Sequence, residues 1–175
     1  MIDCKICEFI NNKENIIYED ELVYAMIPEK PLTLGHIWVV PKKHYPIIEQ
    51  VPDFEIAPLF RIANKLSSIL FETLKIQGTN IIVQNGIAAG QQYAHFIVNI
   101  IPRRENDGLK LEWTPKQISE EEMSTAELKL KEQSRNVGDF IKETPKETIA
   151  LGHKKEILDY SDEENYLIRQ LHRIP

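Results

Sequence analysis

The sequence has few cysteines and no long apolar run. Cys4 and Cys7 are the only two cysteines among 175 residues, and they form a C-x-x-C pair, which in a reducing compartment indicates a metal or redox pair rather than a structural disulfide. No segment runs to about 18 apolar residues. The N-terminus carries acids and lysines where a secretory signal needs an apolar core. We therefore expect a cytoplasmic protein without a membrane partner.

Positively charged residues are also fewer than negatively charged ones. The chain has 21 Lys and Arg against 27 Asp and Glu, a net charge of -6, whereas proteins held mainly by phosphate contacts usually show a basic excess. That class of partner is disfavoured, although a local basic patch remains compatible. With 42% hydrophobic and 27% charged residues, the composition is typical of a globular protein of one domain with an appendage, or of two very small domains.

Short strands surround one long helix in the predicted order of elements. "NIIYEDELVYAMIP" predicts two strands around a turn at Glu19 and Asp20, and "GHIWVVPKKH" predicts a third that ends at Pro41. "TNIIVQN" and "AHFIVNIIP" predict two more strands, joined by the loop "GIAAGQQ". The pattern indicates an α+β fold, an antiparallel sheet with one long helix on one face.

The long helix is predicted from hydrophobic spacing, with Asp53 as its N-cap and Gly78 marking its end. Its apolar face comprises Ile56, Leu59, Phe60, Ala63, Leu66, Ile69, Leu70 and Leu74.

The C-terminal part has a different character. Ser119 and Glu122 stand in capping-box register before a strongly charged helical segment, and Ser161 with Glu164 repeats that register. Residues 138–160 are polar and contain proline and glycine, so they predict a linker or a segment lying across a surface. We assign residues 1–110 to the α+β domain and residues 111–175 to a helical extension or tail.

The cysteine pair and the histidines are candidates for a zinc site. Zinc favours four tetrahedral thiolate and imidazole ligands, of which a C-x-x-C pair supplies two. His36, His44 and His95 lie within the predicted domain, whereas His153 and His172 lie in the tail. The spacings are not those of a zinc finger, so the residues alone leave the other two ligands open.

"GHIWVVPKKH", the long helix and "VQNGIAAGQQYAHFIVNIIPR" together resemble the histidine triad (HIT) family of nucleotide hydrolases and transferases. The resemblance covers about residues 4–107. It implies the histidine-triad fold and a homodimer with one sheet continuous across the interface.

The family signature is three alternating histidines, which correspond here to His95, Ile97 and Asn99. The resemblance makes the middle residue the nucleophile that attacks the α-phosphate, and Ile97 has no atom that can do so. We therefore assign no catalytic residue and expect no catalysis by the family route. Pro28 also stands where the family has an acid that binds ribose, while a one-residue shift puts Glu29 on the wrong face.

The resemblance implies that Cys4, Cys7, His44 and His95 bind zinc. It also places Gln84, Asn85 and Gln91 in an amide-rich turn that faces phosphate, and, with His36 and Asn99, these are the candidate nucleotide-binding residues. For His36 a buried packing role is an equal alternative, and for Asn99 an amide bonded to the backbone is a stronger one.

These residues indicate a catalytically inactive family member with structural zinc that acts by binding. Its expected ligands are a weakly held purine nucleotide, or a protein or ribonucleoprotein engaged through the tail. The alternative is residual hydrolysis or transfer on nucleotidyl phosphoramidates or dinucleotides, with His36 as the remaining imidazole near the pocket. A redox role for Cys4 and Cys7 is a third hypothesis.

Overall fold

The computed structural model describes residues 4–136. The chain divides into two units after Trp113, and α3 lies in the described part of the second unit. The elements are, in order, α1 (Lys5–Asn12), β1 (Ile16–Glu19), β2 (Val23–Met26), β3 (Ile37–Pro41), α2 (Asp53–Leu74), β4 (Gly78–Val83), β5 (Val98–Arg103) and α3 (Glu120–Gln133).

The five strands form one antiparallel sheet in the order β1-β2-β3-β5-β4, which confirms the predicted α+β architecture. The predicted turn between β1 and β2 is also present. Asp20 accepts hydrogen bonds at Oδ1 from the backbone N–H groups of Leu22 and Val23, at 2.9 and 2.7 Å. An aspartate that bonds to the backbone a few residues ahead fixes a tight turn.

Helix α2 covers one face of the sheet. Its Leu59, Ala63, Leu66 and Leu70 are buried as predicted, and they pack with the sheet residues of the main core. Two residues of the predicted face are instead exposed, Phe60 by 40% and Ile69 by 50%. Each lies one position from a buried residue, and a step of one residue rotates the side chain by about 100° around the helix.

The ends of α2 differ from their predicted positions. Pro52 is the N-cap and Asp53 is the first helical residue, where its charge still favours the helix N-terminus. The helix stops at Lys75, which adopts the left-handed conformation with φ 50°, rather than at Gly78, which begins β4. Among the described residues no helix has the length and apolarity needed to cross a membrane.

Helix α1, which the sequence patterns did not predict, covers the opposite face of the sheet. Ile6 and Phe9 of this helix are buried in a second cluster against Tyr24, Met26 and Trp38. Alternation along the strands accounts for the two clusters, because neighbouring residues such as Tyr24 and Ala25 point to opposite faces.

Strand β5 begins later than predicted. It starts at Val98, so His95 and Ile97 precede the strand rather than belonging to it. Val39 pairs with Val98, and that register places Pro41, which has no N–H to donate, opposite Phe96. The Phe96 N–H instead bonds to the Tyr45 carbonyl at 2.6 Å.

Helix α3 confirms the first predicted capping box. The Glu122 N–H donates to Ser119 Oγ at 3.3 Å, and the Ser119 N–H donates to Glu122 Oε2 at 3.2 Å. Every described residue of this helix is exposed. The second capping box, Ser161 with Glu164, and the predicted linker lie outside the described residues.

Among the described glycines, Gly35 has the least space for an added Cβ atom. Its φ is +89°, and a Cβ there would lie 2.5 Å from Leu74 Cδ1 and 3.1 Å from Leu70 Cδ2. We expect Gly35→Ala to destabilise the protein by about 2–4 kcal/mol, through backbone strain plus overpacking against α2.

The matched control is Gly108→Ala, where φ is +79° but nothing lies within 4 Å of the added Cβ. This variant should lose only about 1 kcal/mol from backbone strain. Urea unfolding of both variants measures the difference, and equal losses would contradict the packing role assigned to Gly35.

Candidate metal centre and adjoining polar site

Three segments of the chain meet at one place: the start of α1, the segment after β3 and the segment before β5. Cys4 is the N-cap of α1 and Cys7 lies in its first turn, so the spacing of three residues puts both thiols on one side of the helix. His44 follows β3 and His95 precedes β5, and the two strands are antiparallel neighbours. The end of β3 therefore lies beside the start of β5, which brings the two imidazoles together.

The ligand atoms of Cys4, Cys7, His44 and His95 all lie within 4.8 Å of one another. The His95 Nδ1 atom is 3.6 Å from Cys4 Sγ and 3.7 Å from Cys7 Sγ, and His44 Nδ1 is 3.4 Å from Cys7 Sγ. In tetrahedral coordination, zinc bonds of about 2.3 Å to sulfur and about 2.0 Å to nitrogen place a sulfur ligand about 3.5 Å from a nitrogen ligand. The four side chains therefore fit one metal ion.

His95 is oriented for this role by the backbone. It is fully buried, and its Nε2 lies 3.0 Å from the Pro41 carbonyl. The carbonyl can only accept, so Nε2 carries the proton and the Nδ1 lone pair faces the thiols. Burial lowers the pKa of His95 from 6.5 to about 4, a change opposed by the Pro41 hydrogen bond and increased by the nearby charge of His44.

The Cys7 thiol needs a positive partner to ionise at this place. Burial, together with the hydrogen bond and the charge of Cys4, raises the pKa of the Cys7 thiol from 9.0 to about 11. A divalent cation favours the thiolate form, because a thiol that coordinates a metal ion is deprotonated. Neither cysteine forms a disulfide.

Position 97, which the resemblance equates with the nucleophile, is apolar and packed. Ile97 is half-buried and contacts the cluster that contains Trp38 and residues of α1. Tyr93 packs against the same cluster, where its ring meets that of Trp38 edge-on with centroids 5.2 Å apart. Ile97 therefore occupies its position as an ordinary packing residue.

The buried His36 has both ring nitrogens engaged. Its Nδ1 accepts a hydrogen bond from the Leu32 N–H at 3.2 Å, so the proton resides on Nε2, which donates to Asn99 Oδ1 at 3.3 Å. Asn99 Nδ2 in turn donates to the Ile82 carbonyl at 3.2 Å. Burial lowers the pKa of His36 below 6.5, against the Asn99 hydrogen bond, which raises it. His36 is thus a neutral imidazole with no free lone pair.

The three amide candidates of the turn differ in their contacts. Asn85 accepts at Oδ1 from the Ile48 N–H at 3.0 Å and donates to both carboxylate oxygens of Glu49 at 2.7 and 2.9 Å. Gln91 uses its oxygen and its NH₂ group on backbone partners. Gln84 is exposed, and its side chain makes no hydrogen bond within residues 4–136. Nucleotide binding by these residues stays a prediction.

The two residues near the expected ribose site also have defined environments. Pro28 is buried, whereas Glu29 is exposed. No carboxylate takes the place of the family acid at position 28.

Tyr45 is a supporting residue that the sequence patterns did not single out. Its hydroxyl donates to the buried Glu55 Oε1 at 2.8 Å, while its carbonyl holds the Phe96 N–H. It therefore connects the start of α2 with the two segments that carry the candidate metal ligands His44 and His95. Its position directly after His44 was the available signal, but its partners are distant in sequence.

Comparisons with known proteins agree with this geometry. A HIT domain family model matches residues 10–106. An uncharacterized HIT-like protein of Methanocaldococcus jannaschii is 39% identical over 107 residues, covering 60% of this chain and 82% of its own. An adenylylsulfatase of Arabidopsis thaliana is 33% identical over 109 residues, covering 61% of this chain and 55% of its own length.

Among solved structures, a Zn-bound histidine triad family protein from Mycobacterium smegmatis superposes with a TM-score of 0.58 at 26% identity. The match covers 76% of this chain and 98% of that one. The sheet order, the paired cysteines and histidines and the family model that spans residues 10–106 lead to one conclusion: the chain belongs to the HIT domain family and has the histidine-triad fold.

Proposed function

We propose that this protein is a catalytically inactive HIT family member, which holds a structural zinc ion and acts by binding. The observation that carries the proposal is the contrast within one short segment. His95 directs a lone pair at two thiols, whereas Ile97, at the nucleophile position, presents only carbon to its surroundings.

Zinc is the metal that the donor set favours. Two thiolates and two imidazoles in tetrahedral arrangement suit zinc, whereas carboxylate and carbonyl oxygens suit magnesium, calcium or manganese. The Zn-bound Mycobacterium smegmatis relative supports this choice. When bound, the ion joins α1 to the two histidine-bearing segments.

Weak nucleotide binding is the proposed ligand function. Among the five candidates, His36 and Asn99 bond to each other, and Asn85 and Gln91 bond to neighbouring protein groups. Gln84 keeps a free amide for a purine nucleotide. Pocket groups that already have partners exchange one hydrogen bond for another on binding, which supports low affinity.

The alternative is residual nucleotidyl hydrolysis or transfer. The enzyme name of the Arabidopsis thaliana relative favours it. Against it stands His36, the imidazole that residues 4–136 offer outside the metal set. A general base needs a lone pair, and the Nδ1 lone pair of His36 accepts from the Leu32 N–H.

A protein or ribonucleoprotein partner bound through residues 111–175 is a further part of the proposal. The charged and exposed helix α3 is the described helix of that segment, and its capping box satisfies backbone N–H groups at its N-terminus.

For the metal, we predict about one zinc per chain in full-length protein. His44→Gln should lower zinc affinity by more than about 100-fold, since loss of a ligand exceeds the effect of losing a supporting group. Chelation should lower the stability of the parent protein, because metal binding contributes to folding. Elemental analysis and chelator competition measure both effects.

The matched control is His36→Gln, which removes a buried histidine outside the metal set and should leave zinc content unchanged. Zinc-free native protein, or equal zinc affinity in the two variants, would contradict the proposed site.

For catalysis, adenosine phosphoramidate turnover should be absent, since loss of a nucleophile costs roughly 10⁴- to 10⁶-fold. Ile97→His combined with Asn99→His should restore at least about tenfold more turnover than the parent protein, because it returns an imidazole to the nucleophile position. Ile97→Leu is the control and should restore none.

Two outcomes would contradict this explanation of the missing activity. Parent turnover that His36→Ala abolishes would establish the hydrolase alternative. A double variant that binds nucleotide without any gain in turnover would show that the pocket has changed beyond positions 97 and 99.

The homodimer is proposed to form through β4. This edge strand has six residues, no charge and an unbroken register, with Ile81 exposed by 45%. The opposite edge, β1, has four residues and a register shift, and its Glu19 pairs with two lysines. Bulges and charges blunt an edge against pairing, whereas a regular apolar strand invites it.

Sedimentation equilibrium should therefore give about twice the chain mass of 20.3 kDa. Ile81→Lys should shift the protein to monomer, because it places a charge on the pairing edge. The control Ile16→Lys, on β1 with 42% exposure, should remain dimeric. A single-chain mass at all concentrations, or dissociation by Ile16→Lys alone, would refute this interface.

A further inference from the structure

The side chain of Gln91 joins four separate backbone positions. Its Oε1 accepts from the Gly86 N–H at 2.7 Å. Its NH₂ group donates to the Pro46 carbonyl at 2.6 Å and to the Tyr93 carbonyl at 2.8 Å, with the His95 carbonyl at 3.4 Å. An amide NH₂ has two protons, so the two short contacts are the full hydrogen bonds and the His95 contact is a shared, weaker one.

Three of these positions belong to the segments that carry the metal-ligating histidines. Pro46 lies two residues after His44, and Tyr93 lies two residues before His95. The Gln91 NH₂ group therefore fixes the distance between the two histidine segments, next to the Phe96 to Tyr45 backbone bond of 2.6 Å.

The fourth position belongs to the turn at residues 84–91. Gly86 has φ +89° and ψ 163°, a conformation that glycine adopts readily and other residues rarely do. The Gln91 N–H bonds to the Gly86 carbonyl at 3.2 Å, so Gln91 closes the turn through its backbone and its side chain together.

We propose that Gln91 is a positioning residue of the metal centre, and that its side chain couples metal binding to the shape of the turn at residues 84–91. This inference rests on the proposed zinc site. When the metal holds His44 and His95 together, it sets the spacing of the carbonyls to which the Gln91 NH₂ group donates. The same amide group then fixes Gly86 at its other end.

Coupling of this kind is reciprocal, because a group that favours the metal-bound arrangement is itself stabilised by the metal. Zinc binding should order the turn, and an ordered turn should strengthen zinc binding. The metal thus regulates the turn that carries Gln84 and Asn85, in addition to holding the fold.

The test uses full-length protein, zinc-loaded and chelator-stripped, with Gln91→Ala as the variant. Gln84→Ala is the matched control, since it removes an amide from the same turn that makes no hydrogen bond within the described residues. Chelator competition measures zinc affinity. Hydrogen exchange measures the Gly86 amide, with the buried α2 residue Ala63 as a reference for global unfolding.

We expect Gln91→Ala to weaken zinc binding by about 10- to 100-fold, as loss of a supporting hydrogen bond does in other metal sites. In the parent protein, zinc should slow Gly86 exchange by a larger factor than Ala63 exchange. In Gln91→Ala this additional protection of Gly86 should disappear, while Gln84→Ala should behave like the parent in both measurements.

Zinc binding by the parent protein with no additional protection at Gly86 would overturn the coupling and leave the proposed metal site intact. Unchanged zinc affinity in Gln91→Ala would do the same. A parent protein that binds no zinc would instead overturn the metal site, and the coupling with it. The parent comparison stands alone if Gln91→Ala does not fold.

Discussion

The convergence of two thiols and two imidazoles beside α1 is the constraint on which the rest of the site depends. Their ligand atoms lie within 4.8 Å of one another although Cys4 and His95 are 91 positions apart in the chain. A cation at this point closes a long loop, and such a link between distant segments restricts the unfolded chain as well as holding the folded one. The start of α1, the end of β3 and the start of β5 meet there.

This constraint explains why position 95 keeps a histidine while position 97, two residues later, carries an isoleucine. A change at His95 would remove one of the four candidate ligands, and with it one of the connections between α1 and the sheet. A change from histidine to isoleucine at position 97 removes a reactive nitrogen but adds carbon to an apolar cluster that already contains Trp38 and α1 residues. The fold tolerates the second change, since burying a further apolar side chain is favourable.

The same logic extends to the remaining polar groups. His36 and Asn99 satisfy each other and the adjacent backbone. Within the described residues every buried side-chain nitrogen and oxygen has a hydrogen-bond partner. These polar residues therefore have a structural role, because an unpaired buried polar group is costly.

Much of this architecture was predictable from hydrophobic periodicity and turn residues, including the strands, α2 and the Ser119 capping box. Helix α1 was not, because an eight-residue helix depends on packing of residues such as Ile6 rather than on propensity. The ligand set came from the family resemblance.

Two local features depend on distant partners and so escaped the sequence patterns. His95 was predicted inside a strand, but Pro41 on the neighbouring strand lacks the N–H that would continue the ladder there. The prediction that Gln91 faces phosphate came from its place beside Gly90. Its side-chain amide instead donates to backbone carbonyls up to 45 positions away in the chain. Single-sequence patterns do not carry contacts of that range.

X-ray absorption at the zinc edge of full-length protein purified without chelator tests whether Cys4, Cys7, His44 and His95 hold the ion together. We predict a first shell of two sulfur atoms at about 2.3 Å and two nitrogen atoms at about 2.0 Å. A shell without sulfur, or protein that carries no zinc, would contradict it.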